Sequence, residues 1–135
     1  MVIITGNDAI TGLKWSAKVD PSPNPLLTEA GRQIEAYFRG ELQEFDLPLS
    51  PRGTTFQCEI WGHLISIPYG KTMTYGSLSK RQHTSARAVG GACAANPIPL
   101  IIPCHRIVGQ NGKLTGYSGG GGIQTKNQLL LLEKR

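Results

Sequence analysis

No aspartate or glutamate occurs between Ile60 and Leu132, a gap of more than half of this 135-residue chain. Ordinary solvated surfaces mix both signs, so a long acid-free span excludes a purely neutral surface and suits a polyanionic partner. The contrast along the chain sharpens this. Five basic and eight acidic residues precede Ile60, whereas the acid-free span carries Lys71, Lys80, Arg81, Arg87, Arg106, Lys113 and Lys126. Nucleic acid is the commonest polyanion in a cell.

Cysteine is scarce too. Cys58, Cys93 and Cys104 are three in number and irregularly spaced, too few for a disulfide framework, and the odd count leaves at least one free thiol; a reducing compartment is expected. Neither these nor His63, His83 and His105 fall into the C-x2-C or H-x3-5-H spacing of a tetrahedral zinc site, so neither a metal nor a cofactor is expected and the chemistry must come from side chains. No apolar run reaches the roughly 18 residues of a membrane span, and the start MVIITGND has no basic leader region. A cytoplasmic protein, associated with the nucleoid or nucleus if it binds DNA, is the expectation.

What is present reads as an α/β (α+β) chain in two unequal parts: a reduced N-terminal scaffold, residues 1–51, and a mainly helical, winged helix-turn-helix-like domain, residues 52–135. Val2 to Trp15 carries β-branched residues around a Gly-Asn-Asp turn signal and predicts a hairpin. Pro21, Pro23 and Pro25 predict a stiff connector, and Thr28 to Arg39 a helix with Ala30, Ile34, Tyr37 and Phe38 on its apolar face, ended by Gly40. Pro48 and Pro51 bracket a second linker, where acidic composition gives way to basic. Thr54 followed by Gln57 is a capping-box signature for a helix that buries Phe56, Ile60, Trp61, Leu64 and Ile65. A short helix after Thr74 and a second after Thr84, stopped at Asn96-Pro97, have helix-turn-helix proportions. The second is built almost wholly of small residues, which suits close backbone approach either to a ligand or to a neighbouring helix; Arg87 is its one large charged side chain. Ile107-Val108 and the turn Gly109–Gly112 predict a wing, and the glycines from 119 to 122 a loop.

Between the second helix and the wing lies the chemistry-bearing segment. A cysteine does nucleophilic work only as thiolate and needs a cationic or proton-accepting neighbour. Cys104 has His105 and Arg106 beside it, held behind the rigid run Asn96-Pro-Ile-Pro-Leu-Ile-Ile-Pro103. In an extended segment these side chains alternate in direction, so adjacency alone does not establish contact.

The run Asn96-Pro-Ile-Pro-Leu-Ile-Ile-Pro-Cys-His-Arg-Ile-Val108, followed by Gly116-Tyr-Ser-Gly-Gly120, closely resembles the active-site signature of the O6-alkylguanine-DNA alkyltransferases. Tyr37-Phe-Arg-Gly40, Phe45-Asp-Leu-Pro-Leu49, Thr55-Phe-Gln57, Ile67-Pro-Tyr-Gly70, Thr74-Tyr-Gly76 and Ala86-Arg-Ala-Val-Gly-Gly91 look like further landmarks of that family. The resemblance implies a single-turnover repair reaction without cofactor: a monomer binds double-stranded DNA through the minor groove with little sequence preference. It flips out O6-alkylguanine, with O4-alkylthymine a second substrate, and takes the alkyl group onto its own cysteine. Cys104 matches the acceptor, His105 the base acting through a water, Glu133 the carboxylate that orients it, and Asn96 the brace of the turn. Tyr75 matches the tyrosine that donates toward the flipped base, and Arg87 the arginine that fills the vacated stack. Ala86, Gly90, Gly91 and Arg106 are assigned with Arg87 and Tyr75 to DNA, while Tyr117, Ser118 and Ile107 join Tyr75 in the substrate pocket. Two other readings fit less well. A non-catalytic lesion-binding relative would lack the acceptor cysteine, which Cys104 supplies, and a cysteine hydrolase or redox protein would leave the DNA-binding layout unexplained.

Overall fold

The computed structural model describes residues 2–6, 8–15, 24–114 and 122–134. Strands β1 (Val2–Gly6) and β2 (Ala9–Lys14) form the antiparallel hairpin, with a register irregularity between Ile4 and Thr5 and with Asp8 in the left-handed region of the turn. Alternation sends Ile10 inward, where it also bridges Leu49: its N–H donates to the Pro48 carbonyl at 2.8 Å and its carbonyl accepts from Ser50 N–H at 2.8 Å.

Helix α1 runs from Pro25 to Phe38, three residues earlier than the apolar spacing predicted. Asn24 is the cap, its side chain accepting from Leu26 N–H at 2.8 Å, and Pro25 takes the first helical position, where a missing N–H costs nothing. The third proline of the expected connector therefore begins the helix. The buried stripe of α1 is Ala30, Gln33, Ile34, Ala36 and Tyr37, while Phe38 is exposed. Gln33 ties down the next loop, donating to the Asp46 carbonyl at 3.0 Å and accepting from Asp46 N–H at 2.9 Å.

Helix α2 (Thr55–Ile65) has the predicted capping box: Gln57 N–H donates to Thr54 Oγ1 at 3.1 Å and Thr54 N–H to Gln57 Oε1 at 3.0 Å. It buries Ile60, Trp61 and Leu64 and leaves Ile65 exposed. Trp61 needs a glycine before the helix, because a Cβ on Gly53 would stand 2.4 Å from its ring. Its indole N–H donates to the Ala92 carbonyl at 2.9 Å, which fixes α2 against helix α4 (Ala86–Ala94). Burying such a ring stabilises the fold by roughly 2–3 kcal/mol.

Helix α3 (Tyr75–Arg81) precedes α4, and the two pack against each other as the expected helix-turn-helix. The strand and turn expected at 107–112 are present, and their partner is new. Strand β4 (Ile107–Val108) pairs in parallel with a two-residue strand β3 (Met73–Thr74) that the sequence did not announce, and the segment after it, Gln110–Gly112, is a 3-10 turn. The consequence is that β4 is an interior element: Ile107 and Val108 are both buried. Helix α5 (Ile123–Glu133) closes the chain with Lys126, Leu129, Leu130 and Glu133 on its buried side. Among the described residues no helix is long and apolar enough to cross a membrane.

Candidate active site

Cys104, His105 and Arg106 form one turn of 3-10 helix, so the alternation expected of an extended segment does not apply. Asn96 builds that turn. Its side-chain oxygen accepts from Ile98 N–H at 2.9 Å and its amide donates to the Ile102 carbonyl at 2.9 Å, closing the proline-rich run into a fixed arch. Cys104 N–H in turn donates to Ile102 O at 2.8 Å. An Asn96 hydrogen bond and the positive charge of Lys126 both favour the Cys104 thiolate, yet burial dominates and pushes the thiol pKa up. The resting cysteine is a thiol, 4% exposed, that needs a base to ionise.

His105 follows in the same turn. His105 is fully buried, and its Nε2 lies 2.6 Å from Glu133 Oε2. Burial lowers the imidazole pKa, and the Glu133 hydrogen bond opposes that without reversing it. Glu133 itself is ionised: burial would raise its pKa, but donors from His105 and Arg106 hold it at about 2. An ionised carboxylate only accepts, so His105 carries its proton on Nε2 and Nδ1 is the basic nitrogen. Among the described residues Nδ1 has no hydrogen-bond partner, although it is buried. The turn therefore carries a buried thiol and, next to it in sequence, a neutral imidazole oriented by a carboxylate.

Glu133 is the hub. Arg106 Nε donates to Oε1 at 2.8 Å and Arg106 Nη2 to Oε2 at 3.1 Å, while Gly70 N–H reaches Oε1 at 3.3 Å and Tyr37 Oη donates to Oε2 at 2.5 Å. Arg106 also donates from Nη1 to the Ile67 carbonyl at 2.8 Å. The structure thus places Arg106 inside, 7% exposed, rather than on the DNA-facing surface expected for it. Ile107, expected in the substrate pocket, is in the core at 0% exposure. Tyr117 and Ser118 lie outside the described residues.

Lys126 is the residue that sequence reasoning missed: it was counted among the solvent-facing cations, yet it is fully buried. Its ammonium sits 5.6 Å from the Tyr75 ring centroid, and its charge acts on both Cys104 and Cys93. The signal was present in the spacing, since Lys126 falls three, four and seven residues before Leu129, Leu130 and Glu133 on one helical face. Five of the seven cations in the acid-free span remain exposed: Lys71, Lys80, Arg81, Arg87 and Lys113. Among the described residues no three potential ligands cluster as a metal site.

Helix α4 turns Val89, Ala92 and Cys93 inward and leaves Ala86, Arg87, Gly91, Ala94 and Ala95 exposed. A Cβ on Gly91 would meet nothing within 4 Å, so internal packing does not demand glycine there, and the small-residue face is turned outward. At Gly90 a Cβ would stand 4.0 Å from the Tyr75 ring. Gly90 thus faces the Tyr75 ring, Lys126 packs against that ring, and the Lys126 charge acts on Cys104.

A helix-turn-helix with an open, small-residue helix, joined to a buried cysteine turn, fits a DNA-binding protein with a cysteine at its candidate site. The description "6-O-methylguanine DNA methyltransferase, DNA binding domain" matches residues 55–135, and the ribonuclease-like domain of the same description matches residues 2–51. The chain belongs to the O6-methylguanine-DNA methyltransferase family. It is 53% identical over 107 residues to the methylated-DNA–protein-cysteine methyltransferase of Methanosarcina acetivorans, covering 78% of this chain and 67% of that protein. The protein of the same name from Mycobacterium bovis is 51% identical over 116 residues, 84% of this chain and 69% of its own. The crystal structure of Mycobacterium tuberculosis OGT in complex with DNA superposes with a TM-score of 0.86 at 44% identity, covering 98% of this chain and 84% of that one.

Proposed function

We propose that this chain repairs O6-alkylguanine in double-stranded DNA by moving the alkyl group to Cys104, once per protein molecule. The observation that carries this reading is the buried Cys104 in one turn with His105, whose Nε2 is held 2.6 Å from an ionised Glu133. His105 Nδ1 takes the thiol proton through one water, and the sulfur lone pair attacks the alkyl carbon. The carbon–O6 bond breaks, its electron pair passes to guanine, and the proton removed from sulfur ends on the guanine ring. Tyr75, against which the Lys126 cation packs, donates toward the base as negative charge develops there. The product is a thioether, which has no leaving group to expel, so the protein is consumed. Asn96 holds the turn that aims the sulfur.

A stacked base hides its O6 substituent, so the guanine must leave the helix before the sulfur can line up behind the alkyl carbon. The outer face of α4 enters the minor groove, where bulk is penalised and base edges carry little sequence information. Arg87, exposed in its first turn, fills the vacated stack. Lys71, Lys80, Arg81 and Lys113 supply phosphate contacts, which weaken steeply with salt. The protein acts as a monomer, in the compartment that holds the DNA.

Incubation with duplex DNA containing O6-methylguanine is expected to add one methyl group per chain, on the peptide that carries Cys104. Intact-protein and peptide mass spectrometry read this directly; tight binding with unchanged mass, or repeated turnover, would overturn the proposal. Arg87→Ala is expected to slow repair of duplex DNA about 10- to 100-fold, because filling the stack offsets part of the few kcal/mol that flipping costs. Reaction with the free alkylated base needs no flipping and should be unchanged; equal losses on both substrates would remove the stack-filling role.

A further inference from the structure

Tyr37 ties the N-terminal part to the carboxylate of the candidate site through its hydroxyl. Tyr37 lies on α1, 96 residues from Glu133 in sequence, and is fully buried. Its Oη donates at 2.5 Å to Glu133 Oε2, the same oxygen that faces His105 Nε2 at 2.6 Å. Arg106 Nη2 approaches that oxygen as well, at 3.1 Å. Three donors share one carboxylate oxygen, which has only about two lone-pair sites to offer. What one donor takes is withdrawn from the others.

We infer that Tyr37 is a positioning residue which, by competing for Glu133 Oε2, weakens the carboxylate's hold on a His105 imidazolium and so keeps His105 neutral, able to accept a proton, down to lower pH. This rests on the reading of His105 as the base for Cys104.

The groups around His105 pull in opposite senses. Glu133 alone favours the imidazolium. Burial opposes it most strongly, and so do the positive charges of Arg106 on the same 3-10 turn and of Lys126 on α5. Tyr69, beyond α2, stands with its ring centroid 6.1 Å from that of Tyr37 and lies under the Arg106 guanidinium, 5.7 Å away. Tyr37 remains a neutral donor throughout, because burial and then the Glu133 hydrogen bond push its pKa above any working range. Removing the hydroxyl returns Glu133's full charge to His105. The imidazolium then becomes easier to form, and the neutral base is lost at a higher pH. The arrangement also gives the N-terminal scaffold, which contributes no nucleophile, a chemical reason to be attached.

Tyr37→Phe isolates this effect, because the ring keeps its edge contacts with Phe38 and Tyr69 and its tilted contact with Phe45. Methyl transfer from the free alkylated base, followed against pH, is expected to show its acid limb displaced upward by about half a pH unit or more. In a Glu133→Gln background the same substitution should produce no further displacement. An unmoved acid limb, or a displacement that persists in that background, would overturn the inference. NMR titration of the His105 ring in wild-type and Tyr37→Phe protein reads the same shift without any reaction. If the wild type transferred no methyl group, the functional reading would fail while the titration still decided the role of Tyr37.

Discussion

Cys104→Ala is expected to abolish alkyl transfer, by roughly 10⁴-fold or more, while the protein still folds and still binds alkylated duplex DNA. The loss is complete because the described thiols offer no substitute. Cys58 is exposed and far along the chain on α2, and Cys93, although buried within the field of Lys126, is pushed up to about 12 by burial and by the nearby Cys104. A thiol held that high supplies almost no thiolate at neutral pH. Folding survives because replacing a buried sulfur by hydrogen removes little volume, a cost of about 1 kcal/mol. The turn is kept by the Asn96 bonds to Ile98 and Ile102, which do not involve the sulfur. Mass spectrometry after incubation with methylated duplex should find no methylated peptide, and a gel-shift titration should find affinity within a few-fold of wild type. Methylation appearing on the Cys93 peptide would instead show that the pocket activates either thiol.

The sequence carried the elements of the fold and the nucleophile further than it carried the interior. The capping box at Thr54 and Gln57, the two short helices and the N-terminal hairpin are local signals, and each stands where its residues predict. The parallel pairing of Met73–Thr74 with Ile107–Val108 was not legible, because two-residue strands carry no period and their partners lie 34 residues apart. The roles of the charged residues were harder still. Arg106 and Lys126 add to a basic surface when counted in sequence, yet both are buried, one on Glu133 and one against Tyr75. Charge is read along a chain, whereas burial is decided by what folds over it. Family resemblance assigned Glu133 to His105 and the geometry brings them to 2.6 Å; nothing in the sequence pointed to Tyr37 as a further donor on that carboxylate.

Glu133→Ala is expected to be the most damaging single change to stability, on the order of 3–5 kcal/mol, because it leaves the Arg106 guanidinium buried without its counter-charge. It also strips acceptors from Tyr37 Oη, His105 Nε2 and Gly70 N–H at once. Against a total stability of about 5–15 kcal/mol this is a large fraction, and thermal unfolding should move down by roughly 10–20 °C. If the damage comes from the stranded cation, then removing Arg106 as well should restore part of it. The double variant Glu133→Ala/Arg106→Met should therefore melt above Glu133→Ala alone; a further fall would show that the carboxylate's other partners carry the cost. Acid performs the same removal reversibly. Glu133 has a folded pKa of about 2 against an ordinary 4.5, so its contribution is fully present above 4.5 and is lost as pH falls from there toward 2. His105 acts in the same direction from a higher pH, because a buried imidazole with a lowered pKa gains protons on unfolding once pH drops below about 6.5. Wild-type stability should consequently decline in two stages on acidification, and Glu133→Gln, which cannot ionise, should lose the lower stage while keeping the upper one.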